Sequence, residues 1–115
     1  MKQAGQIVLF RFPQTDLEEG KLRPALLIGQ LPGGHGDWLL CMITSQTLQY
    51  VKGFDEFVRQ EDKDFNESGL KSASVIRIGR LAVVHEEMLL GAIGEISAER
   101  LQEIKKRLGE WLLKD

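Results

Sequence analysis

One cysteine in 115 residues rules out an internal disulfide, and with no second thiol nearby Cys41 cannot anchor a zinc site of the usual spacing. No apolar run approaches the roughly 20 residues a membrane-crossing helix needs. Neither sign of charge dominates: 15 bases stand against 17 acids, for a formal net charge of -2. That balance argues against a protein that holds nucleic acid by a bulk positive field. Internal repeats, low-complexity tracts and linkers are also missing. The first residues, Met1 to Gln6, run straight into an alternating apolar pattern with no secretory-type cleavage site, so a cytoplasmic protein without a membrane segment is expected. At this length one domain spanning 1–115 is expected, because two cores would each bury too little apolar surface.

The charge is unevenly spread. Between Gly53 and Glu67 lie six of the seventeen acids (Asp55, Glu56, Glu61, Asp62, Asp64, Glu67) and two of the fifteen bases (Arg59, Lys63). The remainder carries thirteen bases and eleven acids, which leaves room for a local basic groove.

The apolar pattern is that of short strands. Gln6 to Phe12 is rich in β-formers and stops at Pro13, where a ladder would lose a donor. A polar loop, Gln14 to Leu22, leads to the apolar run Pro24 to Gly29. Pro32-Gly33-Gly34-His35-Gly36 supplies turn positions that tolerate positive φ before Trp38 to Ile43, so these two strands read as a hairpin. A short strand over Phe54 to Val58 and a turn ending at Gly69 follow. Ser74 to Ile78 is strongly β-branched, and Met88 to Ile93 comes after a helical turn around His85. From Ser97 to Lys114 the period changes: Leu101, Ile104, Leu108, Trp111 and Leu112 recur at helical spacing, with Lys105, Lys106 and Glu110 opposite. Ser97 is the expected N-cap. The whole reads as a mainly β protein, a half-open barrel or twisted sheet closed by one long terminal helix.

Several segments in order resemble the PemK-like and MazF-like toxins. They are Gly5 to Pro13, Thr15-Asp16-Leu17, Lys21-Leu22-Arg23-Pro24 running to Ile28, Leu39 to Gln46, Gly69-Leu70-Lys71, Ser74-Val75-Ile76-Arg77 and Gly91 to Ser97. The Arg-Pro step is the most telling. The resemblance implies an SH3-like half-open barrel, or twisted antiparallel sheet, with a long C-terminal helix. It also implies a homodimer that cleaves single-stranded RNA sequence-specifically as an endoribonuclease, needs no metal or cofactor, and is held inactive by a cognate antitoxin protein. By the same resemblance Arg23, Thr44 and Arg77 are the catalytic candidates, and Gln46, Ser45 and Lys21 the RNA contacts. The acid that some members carry two residues after the later Arg is replaced here by Gly79. The runner-up reading follows from that departure: a degenerate member that binds antitoxin or RNA without efficient cleavage. A gyrase-poisoning branch of the fold acts through a Trp near its C-terminus, but Trp111 lies inside the helical pattern, which disfavours it.

The residue types suit this chemistry. RNA carries its own nucleophile, the 2′-hydroxyl, so a site need supply only charge and proton handling. Arg23 can fork onto the non-bridging oxygens of a phosphorane; the blander alternative is a loop-ordering pair with Asp16 or Glu18. Thr44 can donate a hydrogen bond but not act as a base; otherwise it is a strand-end loop cap. Gln46 can read a base edge. Arg77 either points into a groove or snorkels from a packed face. With Gly79 in place of an acid, Asp16, Glu18 or a histidine remain as bases. His35 at the hairpin tip reads as solvated, and His85 as structural. Trp38 and Trp111 read as core or dimer contacts.

Overall fold

The computed structural model describes residues 2–11 and 22–114; Lys21, Asp16 and Glu18, named above, lie outside them. Among the described residues six strands form one antiparallel sheet: β1 (Gln6–Arg11), β2 (Leu22–Gln30), β3 (Asp37–Thr44), β4 (Glu56–Val58), β5 (Ser74–His85) and β6 (Ala92–Glu95). Their order is β4-β5-β3-β2-β1-β6, and the sheet curls into a half-barrel closed by the helix α2 (Ala98–Leu112). A single helical turn, α1 (Phe65–Ser68), precedes β5.

Strand alternation divides the sheet into two apolar faces. On the helix side Ile7, Leu26, Ile28, Cys41, Ile43, Ile76 and Ile78 pack against Leu101, Ile104 and Leu108 of α2. Each of those three helix side chains stabilises the docked helix by about 1.5–3 kcal/mol of burial. On the other face Val8, Phe10, Ala25, Leu27, Trp38, Leu40 and Leu89 form a second cluster. Ser97 caps α2, its hydroxyl accepting the Arg100 N–H at 3.1 Å, as the sequence reading expected.

Three readings of the sequence are corrected. The strand expected to end at Ile78 continues to His85. Its register on β3 shifts between Met42, which faces Arg77, and Cys41, which faces Leu81, so Ile78, Gly79 and Arg80 bulge and the alternation breaks there. The acidic stretch is not simply a turn. It contains α1, ended by Gly69 in the left-handed region at φ 74, a conformation costly for other residues. Lastly, the apolar stripe of α2 outruns the sheet: Trp111 is 52% exposed and Leu112 62%, with Trp111 leaning on the Phe54 ring at a centroid distance of 5.8 Å.

The acids at 56–64 are largely internal ion-pair partners. Arg100 reaches Glu56, Asp62 and Asp64 at 2.7, 2.9 and 2.9 Å. Arg107 pairs with Glu56 and donates to the Asp55 carbonyl. The backbone N–H of Arg59, aided by the Arg100 guanidinium, holds the Asp62 carboxyl below its ordinary pKa. Burial opposes ionisation of Asp64, yet hydrogen bonds from Arg100 and the Ser97 N–H still bring it down. For Arg100 burial likewise works against the charge and is outweighed by Asp64 and Asp62, which raise its pKa. Long donors from the helix thus satisfy the carboxylates on β4 and the loop after it, locking α2 across the sheet.

Candidate active site

The site lies where β2 begins, β3 ends and β5 begins. Alternation puts Arg23 on the same face as Ala25, Thr44 on that of Met42, and Arg77 on that of Val75. Because Ala25 pairs with Met42 and Met42 with Arg77, all three catalytic candidates share one face of the sheet. Continuing the β2–β3 register by two residues sets Arg23 beside Thr44. A diagonal step of roughly 7–8 Å separates Thr44 from Arg77.

Arg23, Thr44 and Ser45 line an open cleft of about 570 Å³. Its walls include Leu9, Pro24 and Ile43, and Lys71, Ser72 and Ser74 bring further polar groups to it. Lys71 and Ser72 are exposed. The cleft therefore offers two cations and several hydroxyls beside an apolar wall, a set suited to an anionic chain carrying flat bases. Sequence reading passed over Lys71 as a site residue although it stood in a quoted motif. Its contribution depends on the loop before β5 folding back towards the start of β2.

Thr44 is buried, and its hydroxyl oxygen accepts the Gln46 N–H at 3.1 Å. It therefore caps the loop after β3, the blander of its two readings, while a hydroxyl in that role retains its own hydrogen to donate. The backbone then makes a 3-10 turn at Thr47–Gln49. Gln49 Nε2 donates to Gln46 Oε1 at 2.8 Å, and Gln49 Oε1 accepts from Arg77 Nη1 at 2.6 Å.

Arg77 is held from beneath as well. Its Nε lies 3.4 Å from Oδ2 of Asp55, with the side chains 19% and 2% exposed. Asp55 also accepts backbone N–H groups, from Val51 at 3.0 Å and Ile78 at 3.2 Å. Arg77 is thus neither a bare groove cation nor a snorkelling side chain but a clamped guanidinium. Its two partners, Gln49 and Asp55, escaped the sequence reading. Asp55 was visible there only as one acid among six, and nothing in the local pattern marked Gln49.

The remaining candidates fall away from this place. His35 is exposed on the hairpin loop. The Nδ1 of His85 accepts the Glu87 N–H at 3.1 Å, which opens the turn after β5. Trp38 is in the second core cluster. Cys41 is fully buried, and that burial, with Asp55 nearby, pushes its thiol pKa well up, so it stays protonated and inert.

With this geometry the chain can be set beside known proteins. The model of the PemK-like, MazF-like toxins of type II toxin-antitoxin systems matches residues 3–112. No curated protein matches. Among solved structures the chain is similar to an endoribonuclease in complex with its cognate antitoxin from a mycobacterial species, at 16% identity and a TM-score of 0.70, over 100% of this chain and 99% of that one. It is similar to MazF from Deinococcus radiodurans at 25% identity and a TM-score of 0.66, over 96% of each chain. It also resembles the MazE-MazF complex of the same organism at 21% identity and a TM-score of 0.70, over 99% of this chain and 97% of that one. The curled half-barrel with its terminal helix is the fold of these toxins.

Proposed function

Because the chain belongs to the PemK-like, MazF-like toxin family of type II toxin-antitoxin systems, we propose that it is a metal-independent endoribonuclease of single-stranded RNA. On this reading it is a cytoplasmic homodimer restrained by a cognate antitoxin. The observation that carries the enzymatic part is the shared placement of Arg23, Thr44 and Arg77 on one sheet face, with Arg23 and Thr44 also bordering the cleft that Lys71 lines.

The 2′-oxygen of the scissile nucleotide attacks the adjacent phosphorus, the bond to the 5′-oxygen breaks, and the products are a 2′,3′-cyclic phosphate and a free 5′-hydroxyl. A proton leaves the 2′-oxygen and one is gained by the 5′-oxygen. The pentacovalent transition state carries more charge on its non-bridging oxygens than the substrate does, so a guanidinium placed there lowers the barrier rather than merely tightening binding. Arg23 fills that role, Thr44 donates a neutral hydrogen bond, and Arg77 supplies a second, pre-oriented cation. Ser45 and Gln46 follow Thr44 directly and contact the neighbouring nucleotides, as Lys21 does in the same reading.

A second reading rests on Gly79. The carboxylate beside Arg77 belongs to Asp55, whose oxygens are occupied by backbone donors, so it orients the arginine and is poorly placed to take a proton. A family member that binds antitoxin or RNA and cleaves weakly would look like this. Incubating the purified protein with single-stranded RNAs of varied sequence in the presence of a chelator separates the two readings. Cleavage that leaves cyclic-phosphate ends and is blocked by a 2′-deoxy substitution supports the enzyme. Binding without cleavage replaces it with the weak binder.

A further inference from the structure

We propose that Gln49 is a positioning residue, which orients the Arg77 guanidinium and ties it to the loop that carries Ser45 and Gln46; the proposal rests on the RNA-cleavage reading above.

The 3-10 turn at Thr47–Gln49 has no buried residue, and Leu48 at its centre is 100% exposed. No side chain of the turn is buried in the core; packing holds only its end, where the following Tyr50 ring meets Phe57 of β4 edge-on at 5.3 Å. What reaches the sheet from it is polar. Gln49 Oε1 accepts from Arg77 Nη1 at 2.6 Å across 28 residues of sequence, while its Nε2 donates to Gln46 Oε1 at 2.8 Å. A guanidinium can only donate, so the Gln49 oxygen must face it and the amide nitrogen is left to donate onward. The carboxamide thus serves both neighbours at once. The line then continues through the backbone, where the Gln46 N–H meets the Thr44 hydroxyl at 3.1 Å. Gln49 thus stands between Arg77 and the segment that begins at Thr44.

The clamp has two sides. Asp55 holds Nε from the buried side at 3.4 Å, and Gln49 holds Nη1 from the exposed side. A guanidinium fixed by both presents its remaining N–H donors in one direction, towards a phosphate. Fixed by Asp55 alone, it can rotate about its Nε–Cζ bond and its long stem. Removing Gln49 should accordingly lower the fraction of bound complexes that react and leave RNA affinity nearly unchanged.

The test uses the purified full chain with Gln49→Met, which keeps the length of the side chain and loses both hydrogen bonds. Position 49 is exposed, so the fold should survive. With single-stranded RNA, kcat is expected to fall by about tenfold, the effect of losing one hydrogen bond to a charged group, while KM moves less than twofold. In an Arg77→Met background the same change should cost nothing further, because the group it orients is gone. Gln49→Glu keeps an acceptor for Arg77 but sets a negative charge beside the phosphate, so KM should rise several-fold and the rise should shrink at high salt. Unaltered kcat in Gln49→Met, or an equal loss with Arg77 absent, overturns the proposal. Should the wild type cut no RNA, the enzymatic reading fails, and nuclear magnetic resonance of the Arg77 guanidinium in the RNA-free protein still decides the role of Gln49. Slow rotation about Nε–Cζ in the wild type, made fast by Gln49→Met, supports the clamp. Identical rotation in both refutes it.

Discussion

The Phe54 ring lies against Gly79, so that a Cβ on that glycine would come within 3.2 Å of Cε2. A side chain at this exposed position requires the ring to give way slightly. On its other side Phe54 meets the Trp111 ring at a centroid distance of 5.8 Å, which limits where it can go. Gly79→Asp is therefore expected to leave cleavage at or below the wild-type rate and to destabilise the fold by about 1–3 kcal/mol of overpacking. Initial rates and a urea titration measure both. A gain in rate would show that the ring yields and that an acid is what the native site lacks.

Arg23→Ala should lower cleavage by roughly 100-fold or more, the usual scale for removing a group that stabilises transition-state charge. Arg23→Lys should restore little, because an ammonium cannot make the planar two-point contact. Thr44→Ala should cost less in rate, since it removes a neutral donor. Single-turnover kinetics on one RNA rank the three variants, and circular dichroism checks that each is folded.

Arg100→Met should be among the most destabilising single changes at a polar position. It leaves Asp64, whose side chain is 9% exposed, with only the Ser97 N–H among its donors given above and takes one of two arginine partners from Glu56, 15% exposed, and breaking a buried ion pair from one side typically costs about 3–5 kcal/mol. Denaturant unfolding gives the value. A loss under 1 kcal/mol would mean that water replaces the guanidinium without penalty.

Acid should weaken the same region. Asp62 and Asp64 have folded pKa values held below the ordinary carboxyl range, so their contribution to stability is fully present above that range. It is lost as the pH falls through it towards the depressed folded values. Urea midpoints between pH 7 and pH 3 should drop at the acid end for the wild type, and drop less for Asp62→Asn, which has already lost one of the two titrating groups.

Antitoxin and RNA should compete. Arg23 and Arg77 attract carboxylates as readily as phosphates, so an acidic, apolar antitoxin segment is expected to raise the apparent Kd for RNA in a fluorescence titration. Simultaneous, independent binding would separate the two surfaces. Light scattering at micromolar concentration in physiological salt should report a homodimer, and a monomer would remove the two-fold assembly from the functional reading.

The local signals in this chain were strong where physics is local. Short apolar runs set off by turn residues marked β1, β2 and β3, since a run too short for a helix and flanked by proline or glycine fits an extended strand. The 3.6-residue recurrence of Leu101, Ile104 and Leu108 and the cap at Ser97 set α2, because capping and amphipathicity act within one or two turns. Arg23 and Thr44 were singled out only by the resemblance of the Arg-Pro and Thr-Ser-Gln steps to the toxin family; local chemistry alone offered a loop-ordering pair for Arg23 and a strand-end cap for Thr44. The tertiary structure alone decided what depends on distant partners. It brought Asp55 under Arg77, put Phe54 against Gly79, carried β5 seven residues beyond its expected end through a bulge, and made the acidic stretch the counter-charge for Arg100 and Arg107. Gln49 belongs with these: no propensity distinguishes it, and its role rests on a hydrogen bond that spans 28 residues. Such contacts are set by sheet register and helix docking, which sequence periodicity specifies only as a face and never as a partner.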